Sequence, residues 1–168
     1  HLDFRRQRQM CIRDSNVINI VPESKELGFV GTPKKINKEK ILNFINNKQI
    51  PIVVPLGLGD DGRIYNINAD VAAGSIAKEI DARRLLLMTD VEGVLDENQK
   101  LISEINLNKA NEMLKNNIIS GGMIPKINTC LDAISNGVRG VVIVDGRKPH
   151  SILFELFSDK GAGTLIRK

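Results

Sequence analysis

Aromatic side chains are scarce in this chain of 168 residues: they make up 4%, with no tryptophan and a single tyrosine. No Lys/Arg stripe with interleaved aromatics is present, so the surface that would grip and stack a nucleic acid is missing and no such partner is expected. Apolar runs are short as well. The longest, such as Leu85-Leu86-Leu87-Met88 and Val141-Val142-Ile143-Val144, are strand-sized and far from the roughly 20 residues of a membrane-crossing helix, so no membrane partner is expected either. The two cysteines, Cys11 and Cys130, have neither metal-ligand spacing nor the pattern of a disulfide framework, which fits a reducing, cytoplasmic setting and assigns no metal site. Also absent are a G-x-x-x-x-G-K-[ST] loop, a serine elbow, a zinc signature and a dinucleotide fingerprint. Any phosphate bound here is held without a P-loop.

The net charge is +4, and half of it comes from the first fifteen residues, where Arg5, Arg6, Arg8 and Arg13 face only Asp3 and Asp14. This opening is foreign to the rest of the chain: Arg/Gln-rich, without apolar period, with one small patch at Met10-Cys11-Ile12. It has no hydrophobic segment of the kind a signal peptide needs. Residues 1–15 are therefore expected to be either a non-native start, with the true protein beginning well upstream, or a disordered basic arm.

From Asn16 onward the pattern is regular, and 42% apolar content over this length is enough for one sizeable core. Val17 to Val21 and Leu27 to Gly31 read as edge strands. Asn37 caps a helix from Lys38 to Asn47 with Ile41, Leu42 and Ile45 on one face. Ile50 to Pro55 reads as a buried strand, and Gly57 to Gly62 as a loop followed by a turn. A helix runs from Asp70 to Ile80 with the small residues Ala72, Ala73, Gly74 and Ala77 along one flank. Then come a strand from Arg84 to Thr89, a turn at Asp96 to Lys100, a helix around Asn108 to Lys115, and a helix from Met123 to Asn136 that stops at Gly137. Val141 to Val144 is a buried strand, Ser151 to Phe157 a short helix, and Gly163 to Ile166 a last strand. Such alternation predicts βαβ units and an α/β fold with a largely parallel sheet. In such folds ligands gather at the carboxyl ends of strands, where Gly57 to Gly59, Asp90 to Gly93 and Asp145-Gly146 fall.

Two stretches carry the chemistry. In Tyr65-Asn66-Ile67-Asn68-Ala69-Asp70 the amides of Asn66 and Asn68 can donate to a small anion, and Asp70 can hold a catalytic cation; the plainer alternative is helix capping. In Gly121-Gly122-Met123-Ile124-Pro125-Lys126 a lysine lies near a positive helix end, where it is disfavoured unless something negative binds. That makes Lys126 a candidate phosphate clamp.

Those two stretches, with Leu86 to Leu95 between them and Ile119-Ser120 leading into the second, closely resemble the acetylglutamate kinases of the amino acid kinase family, in the same order and spacing from about Asn16 to Lys168. The resemblance implies a three-layer α/β sandwich and ATP-dependent phosphorylation of the side-chain carboxylate of N-acetyl-L-glutamate in arginine biosynthesis. By it, Asn66 and Asn68 belong to the substrate site, with Asn66 on the α-carboxylate. Lys126 lies against the transferring phosphoryl group, and Asp70 orients the catalytic lysines. Asp90, Val91, Glu92, Gly93, Val94 and Leu95, with Ile118, Ile119, Ser120, Gly121 and Gly122, line the nucleotide site. ATP brings Mg2+ with it. In-line transfer between oxygens asks chiefly for cations and amide donors that neutralise developing charge, which these residues can supply.

The segment from Pro149 to Phe157 with Gly161 to Thr164 resembles the C-terminal signature of arginine-inhibited members. It implies an effector site at His150, Glu155, Gly161 and Gly163, bordered by Lys78, in a homo-oligomer, hexameric where arginine-sensitive. The family's upstream glycine-rich loop with a second catalytic lysine, its substrate-receiving glycine pair and its substrate-binding arginine are absent from this sequence. The chain is therefore expected to be a catalytically inactive fragment, with residues 16–55 a remnant of the acetylglutamate-binding half and 56–168 the nucleotide-binding half. The alternatives are a sister kinase acting on acetyl-aminoadipate and a non-catalytic nucleotide- or arginine-binding module.

Overall fold

The computed structural model describes the backbone of residues 8–11 and all of residues 16–168. The chain forms two compact units, His1–Ile80 and Asp81–Lys168.

The first unit is built on a four-stranded sheet in the order β3-β2-β5-β6, from β2 (Ile18–Pro22), β3 (Gly31–Ile36), β5 (Leu56–Gly59) and β6 (Ile64–Asn66). β2 runs parallel to β5, while β2–β3 and β5–β6 are antiparallel. Val17, Ile18, Ile20, Ile36, Ile41, Tyr65, Ile67 and Ala72 form its core, with Phe44, Val53, Ile76 and Ile80 packed around it. α1 (Lys38–Asn46) is capped by Asn37, whose side-chain oxygen accepts from Lys40 N at 3.1 Å. Its inward face is Ile41 and Phe44, whereas Ile45, expected inside, is exposed.

Three expectations for this unit are corrected. The strand near Leu27 lies later: Leu27 closes a short 3-10 turn, and β3 begins at Gly31 despite Pro33 and two lysines. Pro33 is tolerated because β3 is an edge strand and the register slips opposite it, between Asn19 and Ile20. Gly57 to Gly59 is strand, not loop. A Cβ at Gly57 would run into the Ile20 side chain, so glycine there answers to close packing. Finally, β4 (Ile50–Val53) is half-exposed, with Ile50 and Ile52 open to solvent; it pairs in parallel with β1 (Arg8–Cys11). Residues 8–11 are thus a strand, while the remainder of 1–15, on which the expectation of a foreign leader falls, lies outside the described residues.

The second unit has a four-stranded sheet in the order β7-β9-β10-β8, from β7 (Leu85–Thr89), β8 (Glu104–Asn106), β9 (Gly140–Asp145) and β10 (Gly163–Arg167). β7 and β9 are parallel, as are β8 and β10, and β9–β10 is antiparallel. Both four-stranded sheets are mixed and contain parallel pairs, in keeping with the expected α/β class. Every residue of β9 is buried, as its unbroken Val/Ile run requires. α3 (Leu107–Lys115) is capped by Asn106, and α4 (Met123–Ser135) buries Ile127, Cys130 and Ile134. α4 ends before Gly137, which takes φ +109°. α5 (Ser151–Phe157) completes the unit. Among the described residues no helix is long and apolar enough to cross a membrane.

Candidate functional site

In the second unit, the carboxyl ends of β7 and β9 lie side by side, held where Gly146 N donates to Thr89 O at 2.7 Å. The loop after β7 carries Asp90 to Leu95. It closes on itself through Ile102 N donating to Val94 O at 2.9 Å and a tight turn in which Asp96 Oδ1 accepts from Asn98 N and Lys100 N. The loop between α3 and α4 brings Ile118, Ile119 and Ser120 to the same place. Together Val91, Gly93, Val94, Leu95, Gln99, Ile118, Ile119, Ser120 and Met123 line one cavity of about 240 Å3. Seven of the residues expected at a nucleotide thus share one concave surface. Six of its nine lining residues have apolar side chains, which suits a flat heteroaromatic ring.

Lys126 lies in the opening turn of α4, three residues beyond Met123 of that wall. No side chain caps this helix; its N-cap is Gly122, preceded by Gly121 at φ +57° with open space where a side chain would stand. The first N–H groups, of Met123 and Ile124, reach back to Ser120 O and Gly121 O only at 3.3 and 3.2 Å, and Pro125 has none to offer. A helix start with bare glycines and a nearby cation is a place where phosphate oxygens can approach backbone closely.

Charged groups at the carboxyl ends of β7 and β9 are ordered in pairs. Asp145, its side chain almost wholly buried at the end of β9, accepts from Arg147 N, Nε and Nη2 at 2.9, 3.0 and 3.0 Å. This fork of donors from Arg147, above all its side chain, holds the Asp145 carboxyl down at about 2. Lys148 Nζ meets Glu92 Oε1 at 2.7 Å, and Thr89 Oγ1 donates to Asp90 Oδ1 at 3.2 Å. Glu92 is thereby turned to a lysine on the loop after β9.

Asn66, Asn68 and Asp70 lie in the first unit. Asn66 ends β6, its N–H bonded to Phe29 O at 2.8 Å and its side chain exposed. Asn68 is the N-cap of α2 (Ala69–Glu79): its side-chain oxygen accepts from Asp70 N and Val71 N at 3.0 and 3.2 Å. The cap uses only that oxygen, whereas a bound carboxylate would call on the NH2 group. Tyr65, beside Asn66, is buried and donates to Asp61 Oδ2 at 2.9 Å. Bonds from Arg63 N and Tyr65 lower the Asp61 carboxyl below its usual range, and donating to Asp61 raises the phenol.

His150, expected at an effector, is the exposed N-cap of α5 at φ 59°. Glu155 is buried; its Oε1 is 3.3 Å from Arg84 Nη1 and its Oε2 accepts from Ala162 N at 2.9 Å. Gly161, at φ +66°, leaves no room for a side chain beside that carboxylate. Gly161 and Gly163 line a second cavity of about 410 Å3 with Lys148, Lys160 and Phe154, which neither His150 nor Glu155 lines. The carboxylate is thus already engaged by a guanidinium of the same chain.

Sequence reasoning overlooked Gln99 and Met123 in the first cavity's wall, and Thr164, whose hydroxyl bonds to Val94 N across 70 positions. No local pattern marks a contact made at that separation.

An α/β fold with a cavity walled by the loop after β7, beside a glycine-led helix bearing a lysine, matches the amino acid kinase family, whose model covers residues 5–145; the chain belongs to that family. Among its relatives is the acetylglutamate kinase of Pelagibacter ubique, 57% identical over 161 residues, covering 96% of this chain and 56% of that protein. The acetylglutamate kinase of Clostridioides difficile is 50% identical over 163 residues, covering 95% and 57%. A solved structure from Streptococcus mutans superposes with a TM-score of 0.79 at 33% identity, covering 95% of this chain and 60% of its own. The chain spans about half the length of the curated relatives it matches.

Proposed function

We propose that this chain carries the nucleotide-handling part of an acetylglutamate kinase, which transfers the γ-phosphoryl group of MgATP to the side-chain carboxylate of N-acetyl-L-glutamate. The observation that carries the reading is the single cavity in which Val91, Gly93, Val94 and Leu95 meet Ile118 to Ser120 beside the start of α4. In this reading the adenine end lies against the apolar wall. The phosphates reach Gly121, Gly122 and Lys126, whose ammonium offsets charge on the equatorial oxygens as the bond to the leaving oxygen lengthens. Asn66 is assigned to the acceptor's α-carboxylate, and Asp70 to keeping the catalytic lysines charged and aimed; the resemblance supports both roles. Magnesium arrives with the nucleotide, as part of the substrate MgATP.

Arginine inhibition is proposed for the same protein. Its support is that Glu155, tied to the turn at Gly161 to Gly163, already receives a guanidinium, that of Arg84. A free arginine would compete for that carboxylate.

Calorimetric titration of MgATP into the 168-residue chain tests the nucleotide reading. Binding is expected, and Lys126→Ala should weaken it by about tenfold or more, the scale of a lost charge-assisted hydrogen bond. A folded chain that takes up no MgATP, or binds it equally well without Lys126, contradicts the assignment.

A further inference from the structure

Thr164 is fully buried in the middle of the second unit's sheet, opposite Ile143 of β9. For packing alone a valine would serve, since it has the same branched shape and suits a strand as well. The hydroxyl, however, makes two bonds away from the strand. Oγ1 accepts from Val94 N at 2.8 Å and donates to Ile102 O at 2.6 Å, while Ile102 N donates to Val94 O at 2.9 Å. Three groups distant in sequence are thus closed into one ring of bonds, and the loop bearing Gly93 and Val94 is seated on it. Contact is tight on the loop side as well. Gly93 has φ +148°, and a Cβ there would stand 2.6 Å from Thr164 Oγ1 and 2.7 Å from Leu101 Cδ1. Gly93 and Val94 are themselves part of the 240 Å3 cavity wall.

From this geometry we propose that Thr164 is a positioning residue for nucleotide binding: its hydroxyl fixes the height and shape of the loop that forms one wall of the cavity. The proposal rests on the nucleotide reading of that cavity. Removing the hydroxyl leaves the buried N–H of Val94 without an acceptor, a state folded chains avoid by shifting backbone. The shift would fall on the cavity wall, while the apolar sheet beneath stays packed.

The test compares the chain with Thr164→Val and Thr164→Ser, reading two quantities on each: amide hydrogen exchange at Val94 and MgATP affinity. In Thr164→Val, exchange at Val94 should accelerate by about tenfold or more and MgATP should bind about fivefold or more weakly, with the melt still cooperative. Thr164→Ser, which keeps the hydroxyl, should restore both. A role in packing alone would lower melting temperature without touching the affinity of the folded fraction. Folded Thr164→Val with unchanged MgATP affinity overturns the proposal while leaving the nucleotide reading standing. A parent chain whose Val94 amide is protected but which binds no MgATP overturns the reading and the proposal with it. Should Thr164→Val fail to fold, Thr164→Cys, similar in size but a weaker donor and acceptor, is judged by the same two quantities: both changed supports the proposal, affinity unchanged overturns it.

Discussion

Asp145 and Arg147 share one fork of hydrogen bonds, yet the carboxylate is buried and most of the guanidinium lies in solvent. Because the folded-state carboxyl is held at about 2 against an ordinary 3.8, protonating it costs more in the folded chain than in the unfolded one. The stabilisation is therefore complete above about pH 4 and is lost as pH falls from there toward 2. Asp145→Asn should lower the melting temperature at neutral pH and flatten its pH dependence between about 4 and 2; thermal melts across that range check both. Asn68 offers a sharper separation of roles. Asn68→Ala should destabilise the first unit by about 1 kcal/mol through the lost cap. Asn68→Asp should keep the cap but put a negative charge where the substrate reading needs a donor, so stability survives while binding of N-acetyl-L-glutamate in the full-length relative weakens. Equal binding by the Asp variant would reduce Asn68 to a cap. Its capping geometry was legible in the sequence as an alternative, because caps are local; the Thr164 bonds were not, because no local rule reaches from β10 to the loop after β7.

At the scale of elements, legibility divides along the same line. α1, α4 and the fully buried β9 were readable from their own residues: Asn37 and Gly137 mark ends, and an unbroken Val/Ile run marks a strand covered on both faces. β3 and β8 were missed because their partners decide them. Pro33 and two lysines argue against a strand until an edge position excuses them, and Glu104–Asn106 has only three residues to show. Gly57 was misread for the same reason, since what it answers to is Ile20 on a neighbouring strand. Gly163 makes the parallel case in the second unit: a Cβ there would fall on the backbone oxygen of Ile143. Gly163→Ala should therefore strain the β9–β10 ladder and cost about 1–3 kcal/mol or more, the range of overpacking a filled site. Denaturant unfolding measures it, and a neutral substitution would show that the two strands part more easily than their register implies.

For the molecule as a whole, two compact units and a family membership rest on a chain about half as long as the relatives it matches. The nucleotide assignment is contained within one unit, since its cavity, glycine pair and lysine all lie between residues 91 and 126. Asn66 and Asn68, proposed for the acceptor, and Asp70, proposed to orient the lysines, belong to the other. This division sets what can be asked of the chain itself: nucleotide recognition is the property it should express directly. The most direct measurement is therefore a nuclear magnetic resonance titration of the isotope-labelled chain with MgATP, reading every backbone amide. The largest shifts are expected on the loop from Val91 to Leu95 and on the stretch from Ile118 to Lys126, with Asn66 and Asn68 far less affected. Shifts concentrated instead around Lys160 to Gly163, or spread evenly over both units, would contradict the placement of the nucleotide.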